Sequence, residues 1–196
     1  MIKDFDLLQR ANNDYTTIDL EHAEELAYRE LIDSIRYISL GDECGVMGNI
    51  ANIITYKGRF YIQEEQFDRV FIYDDTGRCL KKIDNKERGP GEYLRIESID
   101  INTEKEELML VDGMSDKLFF YDLDGNFKSI HSIRYFQTEN TLCLRDSVFL
   151  HISAPSQNFG NEGLYGYALV LSKGNENFLK GYRYLPLQVG YKGGGQ

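Results

Sequence analysis

The chain repeats itself. Asp68-Arg69-Val70-Phe71-Ile72-Tyr73-Asp74 returns 48 residues later as Asp116-Lys117-Leu118-Phe119-Phe120-Tyr121-Asp122, and Gly77 returns as Gly125 at the same offset. Phe60-Tyr61-Ile62 matches Leu108-Met109-Leu110, and Ile83 is matched with Ile130. A weaker third copy follows, with Val148-Phe149-Leu150-His151-Ile152 and then Ala168-Leu169-Val170-Leu171 before Gly174. Ala154 to Gly166 is a longer insertion within that copy. Each copy in such an array is one supersecondary unit that buries its apolar faces against its neighbours.

Within a copy the pattern is short strands and tight turns. Asp74-Asp75-Thr76-Gly77 and Asp122-Leu123-Asp124-Gly125 read as hairpin turns, with Asp opening the turn and Gly taking the left-handed position. Tyr56-Lys57-Gly58-Arg59 and Asn102 to Glu106 are further turns. The strands are apolar on both faces: Val70 and Ile72 point one way, Phe71 and Tyr73 the other. A half-exposed sheet would alternate with polar residues, so these sheets are expected to lie between others. The reading is an all-β chain of about three four-stranded blades, a partial β-propeller. Expected strands are 50–55, 60–64, 69–74 and 78–83, then 94–101, 107–112, 117–122 and 126–133. In the third blade they are about 141–144, 148–153, 167–172 and 177–185. Residues 1–34 form an N-terminal segment and 35–196 the partial propeller, with blades at about 50–83, 94–133 and 141–185. Ile35 to Leu40 is one further strand before the first blade, and Glu21 to Ile32 has the apolar stripe of a helix.

Composition excludes several function classes. Lys and Arg number 22 against 32 Asp and Glu, a net charge of −10, and such a chain repels phosphate backbones, so no nucleic-acid partner is expected. No apolar run approaches the roughly 20 residues that span a bilayer, so no transmembrane segment is read. In Met1 to Arg10, Asp4 and Asp6 interrupt what a secretory signal would need. Cys44, Cys79 and Cys143 are odd in number and widely spaced, so they read as free thiols.

Arg88-Gly89-Pro90-Gly91-Glu92-Tyr93 resembles the Gly-Pro-Gly-Glu-Tyr signature of a bacterial family of six-bladed β-propellers, related in layout to NHL-repeat propellers. Asp33 to Leu40 is similar to the strand that precedes the first blade in that family, and the two hairpins resemble its repeated ones. The resemblance covers residues 17 to 185. It implies periplasmic or cell-surface export, often as a lipoprotein, and a ring of six blades where this chain holds about three.

The candidate functional face follows from the strand map. Loops from outer strand to next inner strand, here Lys86 to Tyr93, open on the same face as loops joining second and third strands. Those are Glu65 to Asp68, Gly113 to Asp116 and Ala154 to Gly166. Ligand contacts gather on loops carried by a rigid scaffold, which makes Arg88, Glu92 and Tyr93 the candidate ligand-binding residues. In the competing reading Gly89, Pro90 and Gly91 shape a turn whose amides Glu92 bonds. The turn aspartates lack the ligand series of a calcium loop. His22, His131 and His151 lack metal spacing, and His151 reads as a packed strand histidine. No catalytic residue, metal or cofactor is read. The expected function is non-catalytic binding of a ligand or protein partner on the loop face. The alternatives are a lactonase-like hydrolase with a channel metal near Asn52, Asp100 and Asn102, or a truncated chain with no independent function. Three blades would also leave outer sheet faces bare, around Val70, Ile72, Phe119 and Leu169 or their opposite-side neighbours, so the chain alone is expected to pair with a second copy or a missing half, or to aggregate.

Overall fold

The structure is a computed structural model that describes residues 32–86, 92–133, 138, 140–145, 147–152, 167–174 and 177–183. The expected helix from Glu21 falls outside these residues, Ile32 excepted.

Among the described residues twelve strands build three antiparallel sheets, and within each sheet every strand pairs with the next along the chain. The first sheet holds β1 (Ile50–Tyr56), β2 (Arg59–Glu64), β3 (Arg69–Asp74) and β4 (Cys79–Ile83). The second holds β5 (Ser98–Asn102), β6 (Glu107–Asp112), β7 (Lys117–Asp122) and β8 (Phe127–Ser132). The third holds β9 (Asn140–Arg145), β10 (Val148–Ile152), β11 (Tyr167–Lys173) and β12 (Asn177–Arg183). First strands gather at the inside, with β5 beside both β1 and β9. Consecutive four-stranded meanders with converging inner strands make this a partial β-propeller.

The blades stack face to face, as two-sided apolar strands require. Between the first and second, Tyr61, Val70, Ile72 and Ile83 meet Ile99, Leu108, Leu110, Phe119 and Tyr121. Between the second and third, Met109, Val111, Leu118 and Phe120 meet Phe149 and Val170. Each such side chain withdrawn from water contributes about 1.5–3 kcal/mol, which makes these seams the main source of cohesion. Polar groups also cross the second seam. Asp100 Oδ2 accepts the Cys143 amide at 2.6 Å, and Ser98 Oγ accepts the Thr141 amide at 3.4 Å. β5 thereby satisfies donors on the free edge of β9.

Register corrects one expected equivalence. Val70 pairs with Ile83 and Leu118 pairs with His131, so the counterpart of Ile83 is His131, not Ile130. Both blades carry a bulge at the same place, Ile72/Tyr73 and Phe120/Tyr121, which keeps the 48-residue offset through the outer strand. β5 also starts at Ser98, not at residue 94. The amides of Leu94 and Ile96 go to Asp112 Oδ2 and Asp68 Oδ1, so they do not join the ladder.

Ile35 to Leu40 forms no strand, which corrects the sequence expectation, because no described strand lies alongside it. Its groups bond the turn of the first blade instead. The Gly41 amide donates to Gly77 O at 2.8 Å, and Arg36 Nη2 donates to Asp75 O at 2.8 Å. A Cβ at Gly77 (φ 87°) would stand 2.1 Å from Ser39 O, and one at Gly125 (φ 80°) would stand 2.9 Å from both Ile72 Cδ1 and Lys81 Cγ. Each turn therefore presses on the element before it, β3 and β4 in one case and Ile38-Ser39 in the other.

Two further expectations change. Cys44 and Cys79 are joined in a disulfide, with Cα atoms 6.0 Å apart, so only Cys143 among the three is a free thiol. The pairing needs the segment before β1 to cross the first blade, a long-range path that cysteine spacing does not encode. The first blade's outward face is also covered: Ile62, Phe71 and Tyr73 are buried beneath Cys44 and Met47. Val70, Ile72 and Phe119 lie inside the first seam. On the third blade the expectation of a bare face fits the described residues, where Leu142, Leu150, Ile152, Leu169 and Leu171 are half-exposed and Leu144 is exposed.

Candidate ligand-binding loop face

The loop joining β2 to β3 is built on buried carboxylates. Glu64 closes β2 with no solvent exposure and accepts the amides of Gln66 and Phe67 at 2.9 and 3.3 Å. Its counterpart Asp112 closes β6, accepts the amides of Met114 and Ser115 at 3.0 and 3.1 Å, and takes the Ser115 hydroxyl at 2.7 Å. Asp68 and Asp116 end the two loops in the same left-handed conformation, φ 55° and 53°. An acid at the strand end folds each tip back, and the tip then exposes an apolar side chain. Phe67 is 46% exposed and Met114 is 65% exposed. Arg69 lies over the Phe67 ring at 4.5 Å.

The connection from β4 to β5 joins this face through Asp68. Its carboxylate pairs with Lys86 Nζ and accepts the Ile96 amide at 3.1 Å. Tyr93 Oη donates to the Asp68 carbonyl at 2.9 Å, and accepts the Asn85 amide at 3.1 Å. Lys86 and Tyr93 form a β-bridge, so the two ends of the connecting loop are held together. Burial raises the Tyr93 phenol well above its ordinary value and keeps it protonated. Burial, and then the Asp112 charge, raise the Asp116 carboxyl.

The three sequence candidates therefore separate. Tyr93 has no exposed surface and packs edge-on against Phe119 at 6.0 Å, which makes it a core pin at the base of the loop. Glu92 is half-buried at the loop's C-terminal end. Arg88, with Gly89, Pro90 and Gly91, lies outside the described residues. Sequence reasoning missed the exposed tips Phe67 and Met114, although an apolar residue in an otherwise polar turn was the available signal.

Two of the three residues considered for channel chemistry, Asp100 and Asn102, serve the scaffold. Asn102 Oδ1 accepts the amides of Glu104 and Lys105 at 3.1 and 3.0 Å. Asp100 holds β9, and burial raises its carboxyl above the usual range. His151 lies between Thr141 Oγ1 at 3.0 Å and Ser172 Oγ at 2.8 Å, and burial lowers it to about 4, so it is neutral and packed as expected. Burial pushes the Cys143 thiol up to about 11, leaving it unreactive at neutral pH. Among the described residues no three His, Cys, Asp or Glu side chains cluster as a metal would require, and no helix is long and apolar enough to cross a membrane. Carboxylate-held turns and two exposed apolar tips, Phe67 and Met114, characterise this face.

Comparison with solved structures places the architecture. A Bacteroides fragilis protein described as exported is 18% identical, with a TM-score of 0.68, over 78% of this chain and 42% of its own. The U3-55K structure is 10% identical with a TM-score of 0.50, over 70% of this chain and 40% of its own. The WD40 repeats of RRP9 are 10% identical with a TM-score of 0.48, over 69% of this chain and 38% of theirs. The chain thus spans about two fifths of the length of these structures. For the first two of these the likeness is one of fold alone. No curated protein matches the sequence. A family described as a domain of unknown function, DUF4934, matches residues 15–187, and the chain belongs to that family.

Proposed function

We propose that this chain is part of a non-catalytic propeller, six-bladed and NHL-like in layout, that binds a ligand or protein partner on its loop face. The observation that carries the reading is the paired construction of the β2–β3 and β6–β7 loops. Each spends a buried carboxylate to hold an exposed apolar tip, Phe67 in one and Met114 in the other. Large apolar side chains on rigid loops are costly to expose and serve as contact anchors. Arg88 and Glu92 are proposed from the sequence as the charged part of the same surface, Glu92 being half-buried and Arg88 lying outside the described residues. The Gly-Pro-Gly-Glu-Tyr signature sets the ends of that loop through Tyr93. The hydrolase alternative has less support, because Asp100 and Asn102 are committed to backbone amides.

Export to the periplasm or cell surface fits this reading. The Cys44–Cys79 disulfide suits an oxidising compartment, and a protein similar in fold is described as exported. We further infer that in a closed ring Ile35 to Leu40 would stand where the outer strand of a preceding blade lies, although it pairs with no described strand of this chain. Ile38-Ser39 meets the Gly77 turn as Lys81 of β4 meets the Gly125 turn.

The test places a photocrosslinking residue at position 67 or 114, with position 80 on the outer strand as control. In cells of the native host, labelling of one partner from 67 and 114 but not from 80 supports the loop face. Equal labelling from all three, or labelling from 80 alone, overturns it.

A further inference from the structure

The disulfide has no equivalent in the second blade. The counterpart of Cys79 is Phe127, which packs edge-on against Tyr121 at 5.7 Å. In the first blade that place is taken by the bond to Cys44, halfway along the segment that crosses the sheet. Few other contacts hold the segment. The Gly41 amide donates to Gly77 O at 2.8 Å, Tyr73 Oη donates to Gly41 O at 3.2 Å, the Cys79 amide donates to Glu43 Oε2 at 3.3 Å, and the Glu65 amide donates to Asn49 O at 3.0 Å. Val46 and Asn49 are exposed, and Cys44 and Met47 supply the apolar cover. The face beneath is large and apolar: Phe60, Ile62, Phe71 and Tyr73.

We propose that the Cys44–Cys79 disulfide is a redox-sensitive latch that closes residues 38–49 over the outward face of the first blade. Cys44 is half-buried and Cys79 is 9% exposed, so attack falls on the Cys44 sulfur. A dithiol reductant supplies both electrons and both protons. Its thiolate bonds to Cys44 Sγ and Cys79 leaves as a thiolate that takes up a proton. The second thiol then displaces Cys44, and the reductant departs as a cyclic disulfide. With the bond open, the segment is held by a few hydrogen bonds near solvent, and the face it covered becomes accessible. Local opening of this kind draws on the least stable part of a fold, while the two inter-blade seams stay closed.

The experiment uses the whole chain with Cys143→Ser, oxidised or treated with dithiothreitol, followed by thiol titration and amide exchange read by mass spectrometry. The expected result is two thiols released on reduction and at least tenfold faster exchange in residues 38–49. Faster exchange should follow in Arg69–Asp74, with binding of an apolar dye, while Lys117–Asp122 keeps its protection. Cys44→Ser without reductant should match the reduced chain. Two free thiols before reduction would overturn the proposal, as would unchanged exchange after both thiols are titrated. Loss of protection in Lys117–Asp122 together with the segment would also overturn it, because the bond would then be a global staple.

Discussion

The first and third blades face the same problem and meet it differently. Each is a four-stranded sheet with one face against the second blade and one face turned away. On the first, the far face is buried under a disulfide-anchored segment, and Phe71 has no exposure. On the third, the far face carries Leu150, Ile152, Leu169 and Leu171 at positions corresponding to Met109, Val111, Leu118 and Phe120, yet among the described residues nothing covers it. The difference teaches that a blade's sequence specifies two seams whether or not a neighbour is supplied. The cover, and not the sheet, decides which side chains contribute their full burial energy.

Truncations on the two faces should break the symmetry most strongly. Tyr73→Ala removes a buried ring and a hydroxyl bonded to Gly41, and should cost about 3–5 kcal/mol in denaturant unfolding. Equal costs for Tyr73→Ala and Leu171→Ala would mean that the third face is covered after all.

The second seam can be probed by pH. His151 is held at about 4 against an ordinary 6.5 because burial disfavours its charged form. As pH falls from 6.5 towards 4, the unfolded chain binds a proton that the folded chain refuses. Stability that is complete above 6.5 should therefore fall by on the order of 3 kcal/mol. His151→Gln should flatten that part of the profile, and an unchanged slope would show that the histidine is not buried at the seam.

The cover over the first blade has its own two tests. Cys44→Ser should open residues 38–49 locally and leave the main unfolding transition of the two seams in place, whereas a loss of about 2–4 kcal/mol, the usual worth of closing a loop of this length, would make the bond a global staple. Gly77→Ala should cost about 1–3 kcal/mol, because its Cβ would strike Ser39 O and its φ is positive. Leu171→Ala should have the smallest effect, under about 1 kcal/mol, since the side chain gives up little burial. An unchanged melting temperature for Gly77→Ala would place residues 38–41 away from the turn.

The repeat was readable because it writes the same burial twice. Lys117–Asp122 was expected at its observed limits, since the run Leu118-Phe119-Phe120-Tyr121 is apolar on both faces and bounded by turn residues. The outer strand was less legible. Ile130 resembles Ile83 in chemistry, but the ladder bulge puts His131 in its place. The start of β5 is hard to read because Leu94 and Ile96 look like strand residues, while their amides answer to Asp112 at the end of β6 and to Asp68 in the β2–β3 loop. Of the candidate site, the β2–β3, β4–β5 and β6–β7 connections meet through Asp68 and Asp112, while Ala154 to Gly166 lies outside the described residues, and a side chain's share in the face depends on packing. Tyr93 looked available in sequence and is spent inside the core. The disulfide was illegible because it depends on where a chain segment crosses a sheet, 35 residues away in sequence.

Amide exchange across the three blades of the oxidised chain, on a fraction shown by light scattering to be monomeric, tests the central claim that cover sets each blade's stability. The account predicts slowest exchange in Glu107–Asp112 and Lys117–Asp122 of the doubly covered second blade. Exchange in Val148–Ile152 should be at least tenfold faster. Equal protection of Val148–Ile152 and Lys117–Asp122 in a concentration-independent monomer would contradict it.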